Sequence, residues 1–485
     1  MAKAANDEQD RVIEASATTR RLAGFVVAAM QGDIPAQVLH QGKRCLINTV
    51  AVSLHATADP AFAAMLSVLR DEGGQPRASV LGTGDRTTLQ GAAMANGLLA
   101  HLDDYDDTFF PTVLHPSAPT IPAALALAEH ARLPGREFLA ASVLGLEACC
   151  RVALAIQAMR HGALWHMTGA AGVFGSAAAA GRLLGLDGAA MASAFGLAGT
   201  QAGGLRETFG TMTKAFHPAR AAQSGVLAAL LTQRGFTCTS SILEGVHGFA
   251  NAFAAGTHDL SVITDRLGDD WQVMNNAPKP YASAILSHPL VDAMLALRQR
   301  PGARLATRID ARVNPLAIKL ESRPHPGSGL EGRLSFQHAM AAALIDGQCL
   351  PAQFTDERVA DAEVAAVRNR IHAIEDAAIG QDRCEVTLTL ADGQMLMYRV
   401  DHATGSPDRP MTDTQLEAKF HALAGSVLTP ARASRLLDVL WHVEDLGDVA
   451  EILALCRTGG GSTGLQRPAR HPRGARRPAK AVIAD

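Results

Sequence analysis

At 485 residues, 48% of them hydrophobic and 19% charged, the chain has material for more than one domain and a large core. Its net charge of −3 hides an asymmetry: from Gly459 onward six Lys or Arg face one acid, leaving about −8 on the rest, a poor match for nucleic acid. Acids in the opening Met1–Ser16, the lack of an apolar run of bilayer length, and seven scattered cysteines without a CxxC pair argue against export, a membrane span, a disulfide framework and a zinc site; a cytoplasmic protein with reduced thiols is expected.

Apolar residues recur at spacings of three and four from Thr18 to about Leu260, with breaks at Gly32-Asp33-Ile34-Pro35 and Leu133-Pro134-Gly135. This predicts a large all-helical domain over residues 1–264. Aromatic residues are only 4% while Ala and Gly abound, so the helices should approach one another closely. Near Arg304 the period changes. Ile309, Ala311 and Val313 alternate with polar residues, and Val386, Leu388 and Leu390 run into Asp392-Gly393, then Met395 and Met397. The second segment reads as a β-hairpin whose Asp-Gly supplies positive φ. A buried helix over Leu334–Ile345 completes a smaller α+β domain over 265–408. Thr412 and Gln415 make a capping box, and Thr429-Pro430 opens a further helix. The helices of 409–458 are expected to return to the helical domain, making the α+β unit an insertion in a mainly α fold. Residues 459–485 read as a disordered basic tail.

The densest polar constellation is His101-Leu102-Asp103-Asp104-Tyr105-Asp106-Asp107-Thr108. Four carboxylates in five residues repel one another and raise at least one pKa unless cations, hydrogen bonds or a metal compensate. A solvated helix end is the plain alternative. His115 follows in a stretch stiffened by Pro111, Pro116, Pro119 and Pro122, a rigid mount for an imidazole. His166 precedes a helix read as starting near Gly169 with Thr168 as N-cap, and Lys214 and His217 precede one read as starting around Pro218. Helix N-termini of this kind favour anions. The glycines of Gly169–Gly175 follow no strand, so close helix packing explains them better than a dinucleotide site. Apart from the acidic run, no metal-ligand spacing or phosphate loop is present, so neither cofactor nor metal is expected.

These residues, in this order, resemble the MmgE/PrpD family. Asn96-Gly97 leads into Asp104–Thr108, followed by His115-Pro116-Ser117, Pro122–Glu129, Trp165-His166, Gly199–Leu205, Lys214 and Ile242–Gly245. The resemblance runs from Arg21 to about Cys456 and implies a helical domain with a smaller α+β domain, usually as a homodimer. It implies that Asp104, His115, His166 and Lys214 line a catalytic site, with Thr108 nearby and with Lys279, Tyr281 and His338 binding substrate. Decarboxylases of the family place a His soon after that Lys, where this chain reads Ala282-Ser283-Ala284, and a Tyr where His338 stands. The first expectation is therefore a cofactor-independent hydro-lyase acting on a small polycarboxylate such as 2-methylcitrate, by abstraction of a proton α to a carboxylate. A cis-aconitate-type decarboxylase or iminodisuccinate-type epimerase is the alternative.

Two rivals come from other classes. Asp103–Asp107 fits the DDxxD motif that holds Mg²⁺ in prenyl diphosphate synthases, but no second acidic motif follows, and three Trp with three Tyr are few for a carbocation pocket. An inactive polycarboxylate-binding protein on the same fold is motivated by Ala284 and His338.

Overall fold

The computed structural model describes residues 17–156, 164–254 and 258–458; the reading of 459–485 as a tail lies outside the described residues. Its main N-terminal helices are α1 (Ala36–His55), α2 (Leu89–His101), α3 (Ser117–Ala131), α4 (Gly135–Ile156), α5 (Met167–Leu183) and α6 (Thr213–Thr232). α2, α3, α5 and α6 pack on one another, with α4 against α5. Small residues permit this. A Cβ on Gly225 of α6 would stand 2.3 Å from the Ser176 Cβ and 2.5 Å from the Ala177 nitrogen on α5, so a hydrogen is all this crossing accommodates. Gly225→Ala is expected to force the helices apart and lower the unfolding free energy by about 1–3 kcal/mol. Denaturant titration returning wild-type stability would show that the contact can relax.

α4 corrects one expectation, because by length and composition it could cross a membrane. The sequence reading passed over it because charged residues interrupt the apolar run. Its Glu147 and Arg151 pair across one turn at 2.6 Å, and Arg151 also donates to the Val262 and Asp265 carbonyls, so both charges are satisfied inside the protein. Of its most apolar 18-residue stretch, 94% is buried there.

Three helix starts differ from the sequence reading. α5 begins at Met167, with His166 rather than Thr168 in the N-cap position. α6 begins at Thr213, so Lys214, His217 and Pro218 lie within it, and Pro119 and Pro122 lie within α3. A proline in the first turn loses nothing, since those N–H groups lack intrahelical partners; Pro122 and Pro218, just beyond it, each forgo one helical bond.

The smaller unit carries α7 (His288–Leu297), α8 (Pro315–Glu321) and α9 (Phe336–Asp346), the last capped by Ser335. Two short strands, β1 (Thr108–Phe109) and β2 (Asn276–Ala277), pair antiparallel and stitch it to the helical body. Its sheet contains β3 (Arg308–Val313), β4 (Ile371–Glu375), β5 (Cys384–Thr389) and β6 (Met395–Val400), in the order β4-β3-β5-β6. Ile309, Ala311, Val313, Val386 and Leu388 are buried and α7 packs on β5 and β6. The β5–β6 hairpin turns through Gly393 at φ +86°, as Asp-Gly requires. β4 pairs parallel to β3. The sequence did not reveal β4, because this edge strand is exposed on both faces and lacks alternation.

After the sheet, α10 (Asp413–Ala424) carries the Thr412–Gln415 capping box and packs on α1, and α11 (Pro430–Trp441) follows. Lys419 of α10 is buried. It donates to Asn48 Oδ1 (2.8 Å) and to the Tyr105 and Lys279 carbonyls (2.7 and 2.8 Å), and lies 3.5 Å from the Tyr105 ring centroid.

Candidate active site

α2 ends at His101, and the chain then turns through Asp103–Asp107, all buried, before entering β1. Asp104 takes φ +51°, a left-handed conformation that aspartate tolerates better than most side chains. This turn sends the four carboxylates to different partners. Asp103 meets His55 (2.6 Å) and Arg333 (3.0 Å). Asp104 receives Lys214 on Oδ2 (2.9 Å) and Lys279 on Oδ1 (2.7 Å). Asp106 accepts from His101 Nδ1 (2.8 Å), and Asp107 accepts from the Ser117 hydroxyl (2.5 Å). The repulsion expected from the sequence is thus largely compensated. Only Asp107 rises strongly, to about 7, through burial first, with Asp106 adding to it and Ser117 opposing. Burial would raise Asp104 too, but the Lys214 and Lys279 ammonium groups outweigh it and hold that carboxyl well below the usual range.

Hydrogen bonding fixes the tautomers. His115 Nδ1 lies 2.9 Å from the Asp107 carbonyl, which can only accept, so Nδ1 carries the proton. Its Nε2 keeps a lone pair, 4.0 Å from Asp104 Oδ1. The Thr108 hydroxyl (3.3 Å from Nδ1) and Thr168, which accepts from the His115 N–H (3.1 Å), complete the mount. His101 Nε2 accepts from the Lys214 ammonium (3.0 Å), leaving Nδ1–H to donate to Asp106. His166 and His217 meet Nδ1 to Nδ1 at 3.0 Å, so one donates and the other accepts. Burial lowers all four imidazoles, His115 to about 3 and His217 to about 4. They are neutral at pH 7, able to accept a proton but not to supply one as imidazolium. In NMR, His115 is expected to stay neutral between about pH 5 and 8. A midpoint near the ordinary 6.5 would show that burial does not control the ring.

A narrow cavity between the helical body and the smaller unit joins Asp104, His115, His166 and Lys214 with Lys279, Arg206, Phe209, Ala284 and Glu321. Its empty space, open mouth included, is about 540 Å³. The four residues assigned to catalysis from the sequence therefore meet in one place. Of the four assigned to substrate binding, Lys279 joins them and the other three do not. Lys279 lines the cavity, but its ammonium is turned to the Asp104 carboxylate and carbonyl. Thr108 stands behind His115. Tyr281 donates instead to Asp292 and packs edge-on against His288. His338 is directed by the Ser335-capped first turn of α9 toward Gln353 (2.7 Å) and Arg368 (3.0 Å), which engage both its nitrogens. Neither Tyr281 nor His338 lines the cavity. His101, Asp106, Arg206 and Glu321 were missed as site residues. His101 and Asp106 had a signal, since both stand in the densest polar run with Asp104; Arg206 and Glu321 had none.

The donor atoms of His101, Asp104, Asp106 and His115 lie within 4.8 Å of one another, close enough to surround a metal ion. Most are engaged: each Asp104 oxygen holds a lysine, both His101 nitrogens have partners, and His115 Nδ1 faces a carbonyl. A divalent ion would have to displace Lys214 and would add charge beside two ammonium groups. Elsewhere, a wider cleft at Arg77, Arg86 and Arg132 has its cations paired, with Gln75, Glu129 and Asp448 respectively.

The profile of the MmgE/PrpD N-terminal domain matches residues 20–260, and that of the MmgE/PrpD C-terminal domain matches residues 281–445. The chain belongs to the MmgE/PrpD family. Within it, the chain is 27% identical over 470 residues to the cis-aconitate decarboxylase-like protein oryM of Aspergillus oryzae, covering 90% of this chain and 96% of that protein. It is 26% identical over 443 residues to human cis-aconitate decarboxylase, covering 88% and 92%. The Aspergillus terreus cis-aconitate decarboxylase is 27% identical over 455 residues, covering 87% and 92%. The MmgE/PrpD match spans both walls of the cavity, from Asp104 through Lys214 to Glu321. The activities of these relatives favour the decarboxylase alternative over the hydro-lyase expected first.

Proposed function

We propose that the protein decarboxylates an unsaturated tricarboxylate of the cis-aconitate kind. What carries this reading is a cavity that sets cations beside neutral imidazoles, in a chain similar along its length to cis-aconitate decarboxylases. Loss of CO₂ from a β,γ-unsaturated carboxylate breaks one C–C bond and leaves its electron pair as an allylic carbanion, spread toward the remaining carboxylates. One proton then completes the product. Arg206 and Lys214 supply positive charge where the anion is held and where its charge develops, typically the largest catalytic contribution. His115 and His166 add N–H donors or lone pairs, and Lys214 carries a proton already. Mixing the protein with cis-aconitate in deuterated water tests this. Equimolar CO₂ and an unsaturated dicarboxylate bearing one new deuterium are expected; cis-aconitate left intact after prolonged incubation would refute the reading.

The hydro-lyase reading keeps one specific support. Ala284 brings only a methyl group to the cavity, at the position where the family resemblance places a decarboxylase histidine. His115 Nε2 would then take the proton α to a carboxylate, and Lys214 would assist the departing hydroxyl. Consumption of 2-methylcitrate without CO₂ would identify it.

A further inference from the structure

One carboxyl group in the cavity wall takes no part in the arrangement described above. Glu321, the last residue of α8, is 3% exposed. Its Oε1 accepts the Leu286 N–H at 3.0 Å, just before α7. Its Oε2 is buried without a protein partner among the described residues, and no ion pair reaches the side chain. Buried carboxylates ordinarily fill both oxygens or pair with a cation, because an uncompensated charge away from water is costly.

The charged groups around it do not relieve this. Lys279 faces Glu321 but is bonded to Asp104, whose own charge opposes ionisation of Glu321. Arg206 lies across the cavity wall with Arg323 beside it, and neither bonds Glu321. Burial pushes the carboxyl up to about 8 in spite of the Leu286 and Ser287 N–H groups and Lys279. At neutral pH the group therefore carries a proton. Holding the turn before α7 needs one acceptor oxygen only, and an ionised one would serve it better. The second, unpartnered oxygen in a cavity wall is what that structural role leaves over.

We propose that Glu321 is a substrate-contacting residue, donating a proton-bearing hydrogen bond from its unpartnered oxygen to a substrate carboxylate. This rests on reading the cavity as a polycarboxylate site. A carboxyl–carboxylate hydrogen bond is short and strong because its acceptor is charged. An ionised Glu321 would instead repel the same substrate. Binding is thus conditional on the proton.

The test uses the full-length protein and tricarballylate, a saturated tricarboxylate with neither an allylic carboxylate to lose nor a hydroxyl to eliminate. Calorimetric titration across about pH 6.5–9.5 should give a constant Kd at the acid end and about a tenfold weakening per pH unit once one proton must be taken up. Glu321→Gln keeps the acceptor for Leu286 and presents an N–H in place of the O–H. It should bind within about threefold of wild type near pH 7 and lose the alkaline weakening that Glu321 contributes. Glu321→Leu should bind at least about tenfold more weakly near pH 7. The proposal is overturned by a Gln variant with the wild-type pH profile, by a Leu variant with wild-type affinity, or by no tricarballylate binding to the wild type. Should the Leu variant not fold, the Gln profile alone decides. A protein that binds tricarballylate in this proton-linked way yet leaves cis-aconitate unchanged would sink the decarboxylase reading and not this one.

Discussion

Lys214→Met is expected to lower kcat by about 10²–10⁴-fold, the usual range for loss of a proton-transfer group. From the sequence Lys214 reads as a cation at a helix N-terminus, whose loss would chiefly raise KM. Its position changes the expectation. The ammonium, on a side chain 12% exposed, bridges Asp104 Oδ2 and His101 Nε2, and the imidazoles around it are neutral. Burial lowers the Lys214 pKa while Asp104 opposes that shift, bringing the ammonium closer to proton exchange at working pH. Methionine preserves the bulk and removes both charge and proton. Steady-state kinetics on cis-aconitate check this, and a raised KM with kcat intact would confine Lys214 to binding.

Asp104→Asn should cost both stability and activity. Asparagine tolerates the left-handed backbone of this position, so the change deletes charge with little strain. It strips the counter-charge from two lysines whose side chains are 12% and 0% exposed. Leaving buried charges unpaired in this way costs about 3–5 kcal/mol. The pH effect has a definite sign. Asp104 raises the Lys214 pKa, so without it the ammonium is lost at lower pH, and the alkaline limb of kcat should move toward neutrality. Denaturant unfolding and a pH–rate profile measure the two effects; wild-type stability would show that other groups balance the lysines.

Much of this was legible where chemistry is local. Asp392-Gly393 specified a hairpin because few other dipeptides accept its φ values, and Thr412 with Gln415 specified a helix start through reciprocal bonds that follow from four residues of sequence. Asp104 and His115 stand in or beside the dense acidic run, whereas His166 and Lys214 are isolated residues before helices, and the set of four came from the family resemblance. Side-chain direction was not legible. Lys279 and His338 look alike as isolated polar residues, yet one reaches Asp104 and the other turns into the smaller unit, a difference set by α9 and its cap. Glu321 offered no signal at all, since its meaning lies in what fails to contact Oε2. Prolines misled in one direction: Pro218 suggests a first helical position, whereas α6 absorbs it just beyond its first turn because the packing against α2 and α5 outweighs one missing bond.

Lys419 bears on how the protein comes into being. It lies 314 residues after Tyr105, whose carbonyl it caps beside the acidic turn. At a synthesis rate of about 5–20 residues per second, roughly a quarter to a full minute separates the emergence of those two residues from the ribosome. A nascent chain can assemble the helices around the turn during that interval, but the turn's own carbonyls wait for a partner that arrives with α10. Long-range closure of this kind slows folding. The acidic turn is therefore fixed among the last events of biogenesis, once α10 has been made.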